Sequence, residues 1–325
     1  MTTPLLKRIL FATDFSADAR RAQEYAIHLA GAWDAELEIL HVIEMPHELR
    51  ADMESFATVG RSRTAAARQL EEVRDDLARR GIPARVRLLL GNAGEHIHQA
   101  AREKDMDLIV VGAQGRHNLL YGLIGTTAEQ LVHEGPCPVL AVPGVRKEAV
   151  ESLLADRPAV IQRILAPVDF SAPSLDAVEY GVHLAQGVGA AVTLVHVLEP
   201  AGYDLDCGLG VIEDESSKRD YWNRQLMELR DVVTAFGLPT EVEICGGLPS
   251  DAILACALRR HTDVIVMGTH GRRGRSSERC GSVAEAVLRR ATCPVLTVNR
   301  ARFEPGHRRV VPSVLDRQVI KGEEA

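Results

Sequence analysis

Short apolar runs alternate with longer amphipathic segments along the first half of the chain. Each run has the length of a buried strand, and turn-forming residues separate it from the next segment. The runs lie at 8–13, 36–42, 84–90, 107–112 and 138–142. Between them, apolar residues recur at helical spacing. This pattern predicts a regular alternation of strands and helices.

The segments between the runs are predicted to be helical. Ser16 is a residue type that commonly caps a helix, and it precedes the first of them. The apolar face of that helix consists of Ala22, Ala26, Leu29 and Ala30. The other helices are predicted at about 61–80, 93–103 and 127–134. Gly81 and Pro83 stop the long polar one.

The second half of the chain repeats this pattern. The segment from Arg8 returns from Arg163, an offset of 155 residues (163 minus 8). Three shorter matches follow, which are ILHVIE with LVHVLE, DLIVVG with DVIVMG, and PCPVLAV with TCPVLTV. The chain is therefore a tandem duplication. We predict domains at 1–145 and 158–300, followed by a polar tail at 301–325.

Strands that alternate with helices predict parallel sheets joined by right-handed crossovers. The expected fold class is α/β, with two doubly wound five-stranded parallel sheets of a Rossmann-like, nucleotide-binding architecture, and with strand order 3-2-1-4-5 in each repeat. Ligands of such sheets bind at the carboxyl ends of the strands, where the strand order reverses. In each repeat that point lies between the first and fourth strands.

Composition narrows the classes of function. The chain has 325 residues, of which 46% are hydrophobic and 26% are charged, as in soluble globular proteins. Its net charge of −7, from 38 basic and 45 acidic residues, argues against broad nonspecific binding of DNA or RNA. The apolar runs are too short to span a membrane, and the N-terminus lacks the order of an export signal. We therefore predict a cytoplasmic protein that does not associate with membranes.

The cysteines show no C-x-x-C pair and no interleaved histidine spacing. They are Cys137, Cys207, Cys245, Cys256, Cys280 and Cys293. We predict buried reduced thiols rather than metal ligands or disulfides.

The fourth strand of each repeat runs into a loop with widely spaced glycines. In both loops the order is glycine, two residues, glycine, nine residues, glycine and a hydroxyl residue. The matching positions are Gly112, Gly115, Gly125 and Thr126, and Gly268, Gly271, Gly281 and Ser282. Glycine lets backbone amides approach phosphate oxygens, although turn geometry alone also favours glycine at a strand end. Because the spacing occurs twice, we favour phosphate binding.

A helix start follows each loop. Thr126 with Glu129, and Ser282 with Glu285, fit the capping-box pattern S/T-x-x-E. The N–H groups and the positive dipole end of such a helix suit an anion. The second loop also contains four arginines and one glutamate, Arg272, Arg273, Arg275, Arg279 and Glu278, a net charge of +3. These arginines either neutralise phosphates or form a solvated face, and the glycines beside them favour the first alternative.

Polar residues also follow the first and second strands. Asp14 and Asp169 come directly after the first strand of each repeat. They either cap the next helix or contact a sugar or a metal ion, and their position opposite the glycine loop favours the contact. His41 and His196 lie at the ends of the second strands, and we interpret them as packed or solvated rather than catalytic.

Together these motifs resemble the universal stress proteins in their tandem two-domain form. The resemblance covers Leu5 to Pro143 and Val160 to Asn299, and it rests on ATDFS and PVDFS, the HV of the second strand, the glycine spacing and CPVL. It places the chain in the ATP-binding branch of that family, which keeps the glycine spacing. The first repeat departs from the usual pattern by having Thr13 where valine is common, and by an apolar glycine loop.

The resemblance implies roles for particular residues. The ribose would be held by Asp14 with Gly112, and by Asp169 with Gly268, while the adenine would lie against Val42 and Val197. The phosphates would contact Gly115, Gly125, Thr126 and Thr127 in the first repeat, and Gly271, Arg272, Gly281, Ser282 and Val283 in the second. Thr13, Pro167 and Val168 complete the expected site at the ends of the first strands.

Three functions are compatible with this sequence. We favour an ATP-binding regulator of the stress response, because the chain has no P-loop lysine motif, no G-x-G-x-x-G and no nucleophile with an evident base. The first alternative is a slow ATPase or adenylyl-transfer enzyme, with Mg²⁺ held by Asp14 or Asp169. The second is an interaction scaffold that does not use nucleotide.

The fifth strand of each repeat is apolar and would otherwise be an exposed sheet edge. We therefore predict that the halves pair as an intramolecular pseudo-dimer through these strands, as members of the family pair. A homodimer of tandem chains is a further expectation.

Overall fold

The computed structural model describes residues 5–44, 53–115, 124–144, 159–199, 215–271 and 280–299, with the backbone alone for 53–58 and 215. The chain divides into two compact units, Met1–Val160 and Ile161–Ala325. Each unit contains one of the sequence repeats. The predicted tail at 301–325 lies outside the described residues.

The first unit alternates strands and helices. Its elements are β1 (Arg8–Ala12), α1 (Ala17–Trp33), β2 (Glu36–Ile43), α2 (Met53–Arg79), β3 (Ala84–Leu90), α3 (Ala93–Glu103), β4 (Leu108–Gly112), α4 (Thr126–Glu134) and β5 (Val139–Val142). The order of strands in its sheet is β3-β2-β1-β4-β5, and the paired strands are parallel. This is the predicted 3-2-1-4-5 order.

The second unit has the same organisation. Its elements are β6 (Arg163–Pro167), α5 (Ala172–Val188), β7 (Ala191–Leu198), α6 (Glu215–Ala235), β8 (Thr240–Gly246), α7 (Pro249–Arg259), β9 (Val264–Gly268), α8 (Ser282–Arg290) and β10 (Val295–Val298). The order of strands is β8-β7-β6-β9-β10, again with parallel pairs. The predicted α/β fold of two doubly wound sheets is confirmed.

The central strands are continuous apolar runs because helices cover both faces of each sheet. Residues Ile9, Leu10 and Phe11 of β1 have no exposed surface. Right-handed crossovers place α1 and α2 on one face of the first sheet and α3 and α4 on the other. In agreement, α1 packs on β4, and α3 packs on α4. This arrangement leaves the carboxyl ends of β1 and β4 side by side.

Most element boundaries agree with the prediction, and α2 differs most. It begins at Met53 rather than near residue 61. Gly60 lies inside this helix, exposed, and a Cβ there would have no neighbour within 4 Å. A glycine at such a position reduces helix propensity without preventing the helix, because packing elsewhere along the helix stabilises it.

The first helix of each unit begins with a serine cap. Ser16 Oγ accepts the N–H of Ala19 at 3.1 Å, as predicted, and Ser171 Oγ accepts the N–H of Ser174 at 3.4 Å. Over the part of the chain that the structure describes, no helix combines the length and apolar character needed to cross a bilayer.

Candidate functional site

The chain makes a tight turn after the first strand of each sheet. In the first unit, Asp14 Oδ1 accepts the N–H of Ser16 at 3.0 Å. In the second, Asp169 Oδ1 accepts the N–H of Ser171 at 3.0 Å and its hydroxyl at 2.6 Å. The aspartates therefore stabilise a turn, while serine caps the helix. Their other carboxylate oxygen, Oδ2, faces the glycine loop.

The phenylalanine inside each turn adopts a left-handed backbone conformation. Phe15 has φ 61° and Phe170 has φ 62°. A non-glycine residue in this region costs free energy, and such strain often occurs at functional sites. The turn thereby holds the aspartate at the carboxyl end of the strand.

The second glycine of each loop lies beside this aspartate. A Cβ added to Gly115 would lie 3.4 Å from Asp14 Oδ2, and one added to Gly271 would lie 2.6 Å from Asp169 Oδ2. The structure thus brings the aspartate after the first strand together with the loop after the fourth strand, as the sequence predicts. At Gly271 a side chain would displace the carboxylate.

The first glycine of each loop packs against the first helix. A Cβ on Gly112 would lie 3.0 Å from the backbone nitrogen of Ala19, and one on Gly268 would lie 2.7 Å from the carbonyl oxygen of Pro173. Real Cβ atoms essentially never come within 3.0 Å of a backbone atom, so the Gly268 contact is excluded and the Gly112 contact is at the limit. Close packing of strand and helix is therefore sufficient reason for glycine at these two positions.

Replacing Gly268 by alanine should lower the free energy of unfolding by about 1–3 kcal/mol, because the new methyl group forces α5 away from β9. Urea unfolding of the intact chain measures the change. The matched control is Gly181→Ala in α5, where the Cβ would meet Val266 Cγ1 at an ordinary 3.5 Å. Wild-type stability of Gly268→Ala would contradict the packing role.

The third glycine closes the base of each loop. The N–H of Gly125 donates to Ala113 O at 2.7 Å, and the N–H of Gly281 donates to Thr269 O at 2.7 Å. Because these two amides bond within the protein, we expect an anion to bind the amides that follow them. Those amides belong to the first turns of α4 and α8, where N–H groups have no acceptor within the helix.

The predicted capping boxes are wrong by one residue. The N-caps of α4 and α8 are Gly125 and Gly281, without a side-chain cap, and Thr126 and Ser282 are the first helical residues. A Cβ on Gly281 would lie 3.3 Å from Thr269 O, so the closed loop leaves little room for a capping side chain. The helix start nevertheless lies at the loop, and its amides suit an anion.

The histidines of the second strands are buried structural residues. His41 Nδ1 lies 2.6 Å from Thr13 O, and His196 Nδ1 lies 2.7 Å from Val168 O. Since a carbonyl oxygen only accepts, Nδ1 carries the proton. The interpretation as packed imidazoles is confirmed, and each ring ties β2 or β7 to the turn that holds the aspartate.

Comparison with known proteins decides the family. Residues 6–143 and 161–299 both match the family model described as the universal stress protein family. The chain belongs to the universal stress protein family. Each match covers one of the two repeats, so this universal stress protein has the tandem form.

Its relatives include single-domain and tandem proteins. A universal stress protein of Thermus aquaticus is 36% identical over 141 residues, 42% of this chain and 99% of that protein. One of Mycolicibacterium smegmatis is 26% identical over 296 residues, 89% of this chain and 96% of that protein. The crystal structure of a universal stress protein from Archaeoglobus fulgidus has a TM-score of 0.66 at 24% identity, covering 92% of this chain and 98% of that one. That likeness shows the shared fold.

The two sites of this universal stress protein differ in their aromatic residues. Trp222 of α6 stacks on Phe170, with ring centroids 5.2 Å apart, and it lies 4.6 Å from the His196 ring. The offset between β3 and β8 is 156 residues (240 minus 84), so the position equivalent to Trp222 in the first repeat is Ala66. Sequence reasoning missed Trp222, although a tryptophan in a polar helix is a usable signal.

The two sites also differ in charge. Asp18 of α1 corresponds to Pro173 of α5 at the 155-residue offset (173 minus 18). Burial raises the pKa of the Asp18 carboxyl, and the charge of Asp14 also raises it, while the N–H groups of Gln114 and Gly144 oppose the shift. The first site therefore has a second carboxyl group close to Asp14, and proline occupies the equivalent position in the second site.

The remaining predicted residues lie around the same strand ends. Thr127 and Val283 are in the first turns of α4 and α8. Thr13 and Val168 are buried directly after the first strands of the two repeats. Val168 follows Pro167, the last residue of β6. Val42 and Val197 lie near the ends of β2 and β7. Arg272 and the other arginines of its loop lie outside the described residues.

Proposed function

We propose that this universal stress protein binds ATP at the carboxyl ends of the strands in each repeat, and that it regulates the stress response according to nucleotide occupancy. One observation carries the proposal. In both repeats an aspartate faces a glycine loop that is closed at its base and leads into a helix N-terminus. A ribose acceptor beside a phosphate-binding helix start is the arrangement that a nucleotide requires.

The proposed roles follow from this arrangement. Asp14 and Asp169 accept hydrogen bonds from the ribose hydroxyls, next to Gly115 and Gly271. The phosphates bind the first-turn amides, which belong to Thr126, Thr127, Ser282 and Val283. The adenine lies against Val42 or Val197, and ATP would bring Mg²⁺, for which a single carboxylate with phosphate oxygens is a suitable ligand set.

A regulatory role is favoured over rapid turnover by the state of the histidines. Both imidazoles at the strand ends are buried, with 8% of His41 and 1% of His196 exposed. A general base must instead reach the proton that it removes. In this arrangement the aspartates and the loop amides bind and orient the nucleotide.

Three measurements on the intact purified chain test this proposal. Denatured protein should release adenine nucleotide, and calorimetric titration of nucleotide-free protein with Mg²⁺-ATP should show saturable heat. Steady-state phosphate release should be negligible beside binding. Rapid phosphate release would favour the ATPase alternative. Absence of both co-purified nucleotide and binding heat would favour the scaffold.

Trp222 should give the second site its own fluorescence signal. The chain has two tryptophans, and the other, Trp33, is the last residue of α1. Because Trp222 stacks on Phe170 beside Asp169, ATP binding should change its emission. We expect the change to persist in Trp33→Phe and to disappear in Trp222→Phe. A signal that survives in Trp222→Phe would contradict the placement of the nucleotide near this ring.

A further inference from the structure

A cluster of potential metal ligands lies on the second sheet, between β8 and α7. It consists of a Glu243 carboxylate oxygen, Cys245 Sγ and Cys256 Sγ, and these three atoms all lie within 4.8 Å of one another. It is the one group of three or more such ligands found among the residues that the structure describes. Glu243 and Cys245 are two residues apart on β8, so both side chains point toward the same face of the sheet.

We propose that this cluster is a Zn²⁺ site, in which the two thiolates and the carboxylate are three ligands and the fourth position is open. Zinc in proteins takes thiolate and carboxylate ligands at about 2.0–2.3 Å, in tetrahedral geometry. Such distances place ligand atoms roughly 3.5–3.8 Å apart. Small rotations of the side chains therefore suffice to complete the site.

The carboxylate of Glu243 is already oriented for this role. Arg260 Nε donates to Glu243 Oε2 at 2.8 Å, and Arg259 contacts Oε1. Burial opposes ionisation, but the hydrogen bonds from Arg260 and Arg259 lower the pKa of Glu243 to about 2. Arg259 has 55% of its side chain exposed and can move into solvent, while Arg260 keeps its bond to Oε2. Bonds of this kind from outside the ligand set commonly orient metal ligands.

Zinc would replace two thiol protons. Burial raises the pKa of Cys256 to about 12 and also raises that of Cys245, whose thiol donates to Glu243 Oε1 at 3.4 Å. The binding reaction is Zn²⁺ plus two thiols, giving the dithiolate complex and two protons. Because two protons are released, zinc affinity should rise with pH. The increase should be up to about 100-fold for each pH unit below the thiol pKa values. The charged groups around the thiols are Glu243, Arg259 and Arg260, with Glu241 paired to Arg260.

The first repeat provides an internal reference. At the 156-residue offset (240 minus 84), the positions of the three ligands are occupied by Arg87, Leu89 and Ala100. The fold thus forms without thiols at these positions, and the site belongs to the second repeat alone. Ala100 occupies the position equivalent to Cys256, so the packing of α7 on the second sheet should tolerate Cys256→Ala.

Cobalt titration of the intact, reduced and chelator-treated chain tests the proposal. One equivalent of Co²⁺ should bind and give thiolate-to-cobalt charge-transfer absorption. Adding Zn²⁺ should abolish that absorption by displacing the Co²⁺. Cys245→Ser and Cys256→Ala should each lose the absorption and weaken zinc binding by about 100-fold in competition with a chromophoric chelator. Cys293→Ser is the matched control, since its thiol is half-buried but outside the cluster.

Circular dichroism should show that the variants are folded. The proposal is overturned if the wild type shows no charge-transfer absorption, or if Cys245→Ser and Cys256→Ala bind zinc as tightly as Cys293→Ser does. It is also overturned if the reduced chain binds no zinc and mild oxidation instead joins Cys245 to Cys256 in a disulfide.

Discussion

Replacing Gly281 by valine is expected to remove ATP binding in the second repeat, with a loss of affinity of about a hundredfold or more. A Cβ at this position would lie 3.3 Å from Thr269 O, so valine must open the base of the loop. Opening displaces the amides of Ser282 and Val283 from the phosphates. Hydrogen bonds to charged groups contribute about 1.5–3 kcal/mol each, and two of them account for a loss of this size.

The matched variant is Gly125→Val in the first repeat. The Cβ there would lie 3.4 Å from the backbone nitrogen of Gly115, which is the near limit of ordinary contact. The two additional methyl groups of valine are therefore expected to cause the displacement. Each variant keeps the site of the other repeat and therefore serves as its control in two-site calorimetry. Gly281→Ala, with a smaller side chain, should show an intermediate loss. Unchanged binding in both valine variants would contradict the nucleotide site itself.

The two valine variants should not lose equal amounts of binding. The second site should bind ATP more tightly, because Pro173 replaces Asp18 there and one carboxyl group fewer opposes the anion. The aromatic pair of Phe170 and Trp222 is likewise specific to the second repeat. Gly281→Val should therefore remove the tighter of the two binding phases. Equal losses from the two variants would contradict the asymmetry.

Replacing Asp169 by asparagine is expected to weaken ATP binding in the second repeat by about tenfold or more, which corresponds to about 1.4 kcal/mol. Asparagine keeps an oxygen that can accept the N–H of Ser171, so the turn after β6 should be retained. It loses the charge that strengthens hydrogen bonds from ribose hydroxyls. The Asp169→Asn variant thus separates the role of Asp169 in the turn from its role in ATP binding.

A ligand without ribose hydroxyls tests this contact directly. Wild-type protein should prefer ATP to 2′,3′-dideoxy-ATP, and Asp169→Asn should bind the two with nearly equal affinity. Asp169→Ala should show the same loss of preference and also lower stability, since Ser171 loses the acceptor for its N–H and hydroxyl groups. Full discrimination retained by Asp169→Asn would contradict the ribose contact, whatever the effect on overall affinity.

Hydrophobic periodicity along the chain determined the fold almost completely. Strands such as β3 and helices such as α3 have the bounds that the apolar runs and the helical spacing predict. The bounds of both elements can be predicted from the local sequence, because the periodicity of apolar residues shows which residues a strand or helix buries. The duplication then fixed the second unit from the first. The resemblance to universal stress proteins was likewise visible in short motifs.

The meaning of the individual glycines depended on the tertiary structure. The spacing alone did not distinguish the three glycines of each loop, and only the resemblance assigned them different contacts. The folded chain separates them, because Gly268 packs against Pro173, Gly271 lies beside Asp169, and Gly281 closes the loop on Thr269 O. The last of these contacts also explains why glycine rather than a hydroxyl residue caps α8. A spacing pattern contains no information about which backbone atoms approach one another across a loop.

The sequence alone also could not show which side chains come together when they lie far apart along the chain. It established that the chain has cysteines, a tryptophan in a polar helix and a recurring aspartate, but the local spacing of Cys245 and Cys256 indicates neither a metal site nor a disulfide. Only the packing of α7 on β8 brings those sulfur atoms together, and only α6 brings Trp222 onto Phe170. Local periodicity reports which face of an element is buried, whereas the partners of that face are set by the crossovers that connect the sheet.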